Sequence, residues 1–306
     1  EVFLMIDALI LTILMTSVPL VLAATGELVV ERSGVLNLGL EGMMLMGAVS
    51  AFALTYATGS LFIGLLAGII SGAITAAIFG FFVLGLATNQ VATGLALTIF
   101  GTGLSGLIGS EFVGKAITGL PTLFPKHFAD IPFIGAFLSL DIVAYSSVII
   151  VFLVWVFLFK TKTGLILRAS GISHDSAHSL GYSVLKVRWC AVLFGGMMAG
   201  LSGAYLPLML TPHWSEGMTS GRGWIALALV VFASWMPSRI IYGAILFGTI
   251  TIMQLAGQAR GWTIPPQFLS SLPYLTTIFV LVVISSRGSA KYLAPSDLTQ
   301  PFISSK

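Results

Sequence analysis

GMMLMGAVSAFALTYATGSLFIGLLAGIISGAITAAIFGFFVLGLATNQVATGLALTIFGTGLSGLIGS, positions 42–110, contains no Asp, Glu, Lys or Arg. One helical crossing of a bilayer takes about 20 apolar residues, so a charge-free run of about seventy holds several crossings. The rest of the chain is of the same kind. Of 306 residues 57% are hydrophobic and 8% charged, and the mean hydropathy is +1.03. Ordinary soluble domains carry about 25% charged residues, so a soluble fold of this length would lack a polar surface. The sequence therefore predicts an all-α polytopic membrane protein in a single domain, 1–306, with about nine (8–10) transmembrane helices. The net charge of +3 is small and the basic residues are not clustered, which leaves nucleic acid without an electrostatic footprint. The one cysteine, Cys190, excludes an intramolecular disulfide. The first apolar run, Val2 to Ala24, is too long and unbroken for a cleaved leader and reads as a retained helix.

Turn-forming residues divide the chain into spans at 3–24, 36–56, 61–86, 91–109, 140–159, 189–210, 222–236, 239–256 and 271–286. If the loop 160–188 is cytoplasmic, alternation places Arg32, Lys160, Lys162, Arg168, Lys186, Arg188, Arg239, Arg287, Lys291 and Lys306 inside. Lys115, Lys126, Arg222 and Arg260 then fall outside. With ten of fourteen positives inside, the positive-inside rule favours an external N-terminus and a cytoplasmic C-terminus. Gly64, Gly68 and Gly72 recur at one helical face, as do Gly196 and Gly200. Small residues at that spacing let helix backbones approach closely in lipid.

Two segments interrupt the helical pattern at membrane depth: Asn37-Leu-Gly39-Leu-Glu41-Gly42 and Ser220-Gly221-Arg222-Gly223-Trp224. Charge is costly in hydrocarbon, so Glu41 and Arg222 are expected to face protein or a water-filled cavity. The two breaks enter from opposite sides, the relation that an inverted repeat requires, and broken helices at matched positions point to a transport path. Other motifs carry less. Gly109-Ser-Glu-Phe-Val-Gly114-Lys115-Ala116 departs from a phosphate-binding loop where Ala116 replaces the magnesium-binding Ser or Thr, and no strand precedes it. Gly101-Thr-Gly-Leu-Ser-Gly106 lies inside an apolar span, where helix packing explains it better than a dinucleotide does. His174 and His178 have the i, i+4 spacing of a zinc-binding helix, but the loop offers no third ligand, so no metal is expected. His127 and His213 stand alone in external loops.

The loop 160–188 is the most informative segment. Ser173 suits an N-cap, Asp175 the positive first turn of a helix, and Gly181 a left-handed ending, so a helix of about two turns is expected on the cytoplasmic face. Such a helix, tethered to two spans, can dock in a groove of another protein, or it can be a plain connection.

The blocks ERSGVLNLGLEGMMLMGA (31–48), NQVATGLAL (89–97), LRASGISHDSAHSLGYSVLKVRW (167–189) and GMTSGRGWIALALVVFASWMP (217–237) resemble the permease subunits of bacterial ABC importers. They are most similar to the branched-chain amino acid, ribose and nucleoside group, and within it to nucleoside or simple-sugar permeases. The resemblance implies a permease domain of the bacterial inner membrane. Its coupling loop is 160–188, its external loop 110–139 and its cytoplasmic tail 287–306. The resemblance further implies that Arg168, Ala169, Gly171, Ala177 and Gly181, with Ser173 and Asp175 between them, form the coupling helix region that seats on a cytoplasmic ATPase. Where relatives carry Glu-Asn-Pro, this chain has Ile172-Ser173-His174-Asp175, which leaves the ATPase-contacting side chains undefined. Also implied are a second, related permease subunit and an extracytoplasmic substrate-binding protein. ATP and magnesium would sit on the partner ATPase, with no cofactor on this chain. Asn37, Glu41, Asn89, Gln90, Arg222 and Gln254 are the polar groups expected along the path, with Gly39, Gly42, Gly221 and Gly223 allowing the breaks. The rival readings are an ion-coupled secondary transporter, for which Glu41 is the strongest intramembrane acid, a permease for branched-chain amino acids, and a membrane-embedded enzyme or channel.

Overall fold

The computed structural model describes residues 2–124, 131, 134–259, 261, 265–286 and 294–302. Lys126, His127, Arg260, Arg287, Lys291 and Lys306, used above for topology, lie outside the described residues. Among the described residues twelve α-helices follow one another. They are α1 (Val2–Arg32), α2 (Leu40–Thr58), α3 (Leu61–Gly80), α4 (Gln90–Gly109), the single turn α5 (Gly135–Leu138) and α6 (Ile142–Lys160). After them come α7 (Lys162–Ile172), α8 (His174–Ser179), α9 (Val184–Tyr205), α10 (Arg222–Phe232), α11 (Pro237–Ala259) and α12 (Pro266–Ser286). The described residues contain no sheet, only isolated bridges joining 113 to 214, 116 to 213 and 122 to 141.

Each of the nine expected spans appears as a helix, the sixth and ninth beginning five residues early at Val184 and Pro266, and three further differences bear on the site. The first runs eight residues further, to Arg32, and so carries Glu27 and Glu31. The second begins at Leu40. The seventh, α10, has 11 residues, about 16 Å at 1.5 Å per residue, or half of a 30 Å hydrocarbon core. Among the described residues, seven helices are long and apolar enough to cross a membrane.

α1, α2 and α9 form the most deeply buried part of the bundle, and α4 lies at its rim. The glycine stripes explain how the centre closes. A Cβ added at Gly72 would run into the Gly196 carbonyl and lie 2.7 Å from Gly200 Cα, and one at Gly68 would lie 2.7 Å from Ala204 Cβ. α3 and α9 therefore touch backbone to backbone along the two stripes. At the end remote from α7 and α8, Asp141 caps α6 by accepting from Val143 N (2.8 Å) and Ala144 N (3.0 Å). Its other oxygen takes the Tyr205 hydroxyl at 2.6 Å, which ties α6 to α9.

Candidate functional site

The backbone between α1 and α2 is irregular, yet its polar groups are satisfied, as burial in a membrane protein demands. Gln90 Oε1 accepts from Leu36 N (2.8 Å) and Glu27 Oε1 from Asn37 N (3.0 Å). Asn37 Oδ1 accepts from Gly39 N (3.0 Å), and Thr98 donates to the Leu38 carbonyl (2.9 Å). Side chains from α1, α4 and the turn itself thus replace the missing helical ladder. Asn37 and Gln90 are buried and committed to this task.

Two residues later comes Glu41, in the first turn of α2 and 7% exposed. Its Oε1 accepts from the Thr219 hydroxyl (2.5 Å) and from Gly221 N (2.8 Å), and Oε2 accepts from Gly223 N (2.6 Å). Gly221 adopts the left-handed conformation (φ 80°) that turns the chain 211–221 into α10. Gly223 and Gly42 serve close approach instead. A Cβ at Gly223 would lie 2.7 Å from Glu41 Cα, and one at Gly42 2.7 Å from the Leu97 carbonyl of α4. The first turns of α2 and α10 therefore share one carboxylate. Orphan N–H groups and the positive end of a half-length helix offset the cost of burying that charge. α10 leads from this point to the α7–α8 end over its 11 residues, about 16 Å.

The far end of α10 is anchored as firmly. Ser234 and Trp235 turn the corner into α11 in the left-handed region (φ 51° and 53°). The Trp235 indole donates to Glu31 Oε2 (2.5 Å), and its carbonyl accepts from Arg32 Nη2 (2.8 Å) and Nε (3.2 Å). Both ends of α10 are thus held by the α1–α2 pair, at Glu41 and at Glu31–Arg32. Sequence reading missed Glu27, Glu31 and Trp235. The signal was there in the i, i+4 spacing of the two acids after Ala24, which one helix face carries on from the apolar run.

The segment expected to dock on a partner forms as capping chemistry demands. Ser173, extended at φ −153°, separates α7 from α8, and its side chain accepts from Ser176 N. Gly181 ends the turn at φ 85°. α8 buries Ala177 and exposes Asp175, Ser176, His178 and Ser179, with Leu180 beside them 74% exposed. Gly171 packs so closely on the end of α1 that a Cβ would meet the Arg32 carbonyl and lie 3.0 Å from Gly34 N. Arg168 stacks on Phe159 with its guanidinium 4.8 Å from the ring centre, and Ala169 is half-buried.

The other sequence candidates make no hydrogen bond to Glu41 that is described above. Asn89 is exposed and caps α4 by accepting from Ala92 N (3.0 Å). Arg222 folds back onto its own turn, donating to the Met218 and Thr219 carbonyls (3.1 and 3.2 Å). Gln254 is half-buried on α11. Gly39 packs on α4, where a Cβ would lie 2.8 Å from the Leu97 side chain. A mostly apolar groove of about 430 Å³ among α2, α3 and α4 is lined by Ile70, Ile74, Ile78, Phe100 and Leu104, with Ser50, Ser71 and Thr75 among them. A second, about 530 Å³, shares Ile78 and Phe100 and adds Thr93 and Phe82. The phosphate-loop look-alike is a helix end: Lys115 Nζ lies over Tyr56 (4.8 Å) and Phe112 (5.3 Å). The described residues contain no cluster of three metal-ligating side chains.

Residues 9–284 match the family described as branched-chain amino acid transport system / permease component. The chain is 41% identical to the "Putative glucose ABC transporter permease protein" of Haloferax volcanii, covering 92% of this chain and 93% of that one. It is 30% identical to the guanosine ABC transporter permease protein of Bacillus subtilis (96% and 95% covered). With the nucleoside ABC transporter permease protein of Lactococcus lactis subsp. cremoris it shares 28% identity (93% and 94%). No solved structure matches the chain.

Proposed function

On the premise that the chain belongs to the branched-chain amino acid transport system permease family and is a membrane-spanning permease subunit of an ABC transporter, we propose that it imports a neutral, hydroxyl-rich solute, a nucleoside or a simple sugar. Energy comes from a cytoplasmic ATPase that engages α8. The observation that carries this reading is the α7–α8 unit, an exposed capped helix whose neighbour α7 is packed through Gly171 onto the end of α1. A push on α8 has a rigid route to the α1–α2 pair and hence to α10, which that pair holds at both ends. Arg168, Ala169 and Gly171 set the base of this lever, and Ser173, Asp175, Ala177 and Gly181 shape its tip. An extracytoplasmic binding protein would deliver the solute, and a second permease subunit of related sequence would complete the path. The α7–α8 end and the C-terminal segment then face the cytoplasm, in the cell membrane.

For the path, the division of labour is as follows. Asn37, Glu41 and Gln90, with Gly39, Gly42, Gly221 and Gly223, hold the breaks in place. Asn89, Arg222 and Gln254 retain accessible surface to meet the solute. An ion-coupled mechanism has less support, because both oxygens of Glu41 already accept hydrogen bonds from protein donors.

The test is uptake into vesicles holding the permease pair, its ATPase and binding protein. Replacing 173–181 by a flexible linker is expected to abolish ATPase association and uptake while the bundle stays folded. Uptake that persists without any ATPase subunit overturns the reading. Thermal stabilisation of the binding protein across nucleosides, sugars and branched-chain amino acids identifies the solute class.

A further inference from the structure

The C-terminal segment 294–302 lies against the α7–α8 junction, more than a hundred residues away in sequence. Three of its groups close on the hinge between the two helices. Asp297 N donates to the Gly171 carbonyl (3.0 Å) and Ser296 Oγ to the Ile172 carbonyl (2.8 Å), both among the last carbonyls of α7. Asp297 Oδ2 accepts from His174 N (2.8 Å), the first N–H of α8, and lies 2.6 Å from His174 Nδ1. Phe302 sets its ring edge-on to both His174 and His178, 5.4 and 5.3 Å between centroids. The Gln300 carbonyl accepts from Arg188 Nη1 (3.0 Å), whose Nε donates to the Ser33 carbonyl (3.2 Å). Arg188 is fully buried, so the segment is tied through it to the start of α9 and the end of α1.

A six-residue helix is too short to hold itself together, because helix nucleation costs more than so few hydrogen bonds return. Ser173, the single extended residue between α7 and α8, would act as a free joint if nothing bridged it. A lever with a free joint turns under load instead of transmitting it. The segment spans the joint with bonds to the last carbonyls on one side and the first N–H on the other.

Resting on the function proposed above, we propose that the C-terminal segment is part of the coupling device and that Asp297 is its positioning residue. Asp297 locks α8 to α7, so that ATPase motion reaches α1 and α9 rather than being lost at Ser173. The two histidines that resemble a zinc pair instead form the face on which Phe302 seats.

The test compares wild type with D297A, D297N and F302A in the full transporter, reading solute imported per ATP hydrolysed as well as ATPase association. D297A is expected to keep ATPase association and ATP hydrolysis while the transport ratio falls about tenfold. D297N, whose amide oxygen can still accept from His174 N, is expected to stay within about threefold of wild type. F302A, which removes only the ring contacts of a partly buried residue, is expected to lower the ratio about threefold. If D297A does not assemble, F302A decides. Transport ratios equal to wild type in F302A and in any assembled D297A overturn the proposal, whereas a wild-type protein that never associates with an ATPase overturns the functional reading beneath it.

Discussion

A buried carboxylate is costly unless its oxygens are used, and Glu41 uses both of them on the α10 junction. Glu41→Gln presents an N–H to at least one of those donors, and each buried donor left unsatisfied costs about 1–3 kcal/mol. The expected outcome is a folded protein of lower melting temperature with uptake reduced at least tenfold. Wild-type uptake from Glu41→Gln would show that the carboxylate has no part in holding the break. Trp235→Phe tests the other end of α10. It leaves Glu31 Oε2 without its indole donor, and the same order of destabilisation is expected, measured as a lower melting temperature in detergent. Both substitutions act on intrachain hydrogen bonds at the two ends of α10.

Helices in lipid associate by fit, since lipid is as apolar as leucine. The fit is clearest between α3 and α9, where the Gly68/Gly72 and Gly196/Gly200 stripes bring backbone against backbone beside the small side chains of Ala76 and Ala204. Gly72→Leu forces the two helices apart. Overpacking costs about 1–3 kcal/mol where neighbours can yield, and here the neighbours are backbone. Loss of the monodisperse peak in size-exclusion chromatography is the expected result, whereas Gly103→Leu, at a site with open space around its Cβ, is expected to leave the peak unchanged. α10 shows a different principle. An 11-residue helix cannot cross the bilayer alone, and it persists because both of its ends are bound to one neighbouring pair of helices.

For the whole molecule, the function proposed above divides energy and solute recognition among chains. Lys115 sits in a sequence that imitates a phosphate-binding loop, but it lies over two aromatic rings at a helix end. Lys115→Ala is therefore expected to leave ATP-driven uptake within twofold of wild type. A loss above tenfold would reopen the question of a nucleotide site on this chain. The α7–α8 unit, the C-terminal segment and the corner at Trp235 all gather at one end of the bundle, the end of α1. Glu41 lies at the other end of α10, about 16 Å away.

Much of this was legible from local signals. The charge-free run, the turn residues and the glycine spacing predicted the helices and the small-residue faces on which they pack closely, because composition and 3.6-residue periodicity act within a few turns; that the two faces meet each other was not among the local signals. Ser173 and Gly181 predicted α8 for the same reason, capping being a contact of near neighbours. Glu41 and Gly221–Gly223 stood out as polar or permissive residues in apolar surroundings, but nothing local said that they meet. Their hydrogen bonds span about 180 residues, those of Trp235 with α1 span 203 or 204, and that of Asp297 with His174 spans 123. The sequence alone thus determined that the chain lives in lipid as a bundle of helices and which of its helix ends are unusual. Only the tertiary structure decided which ends join, because a buried polar group is satisfied by whichever donor folding brings near it, and no periodicity records that partner.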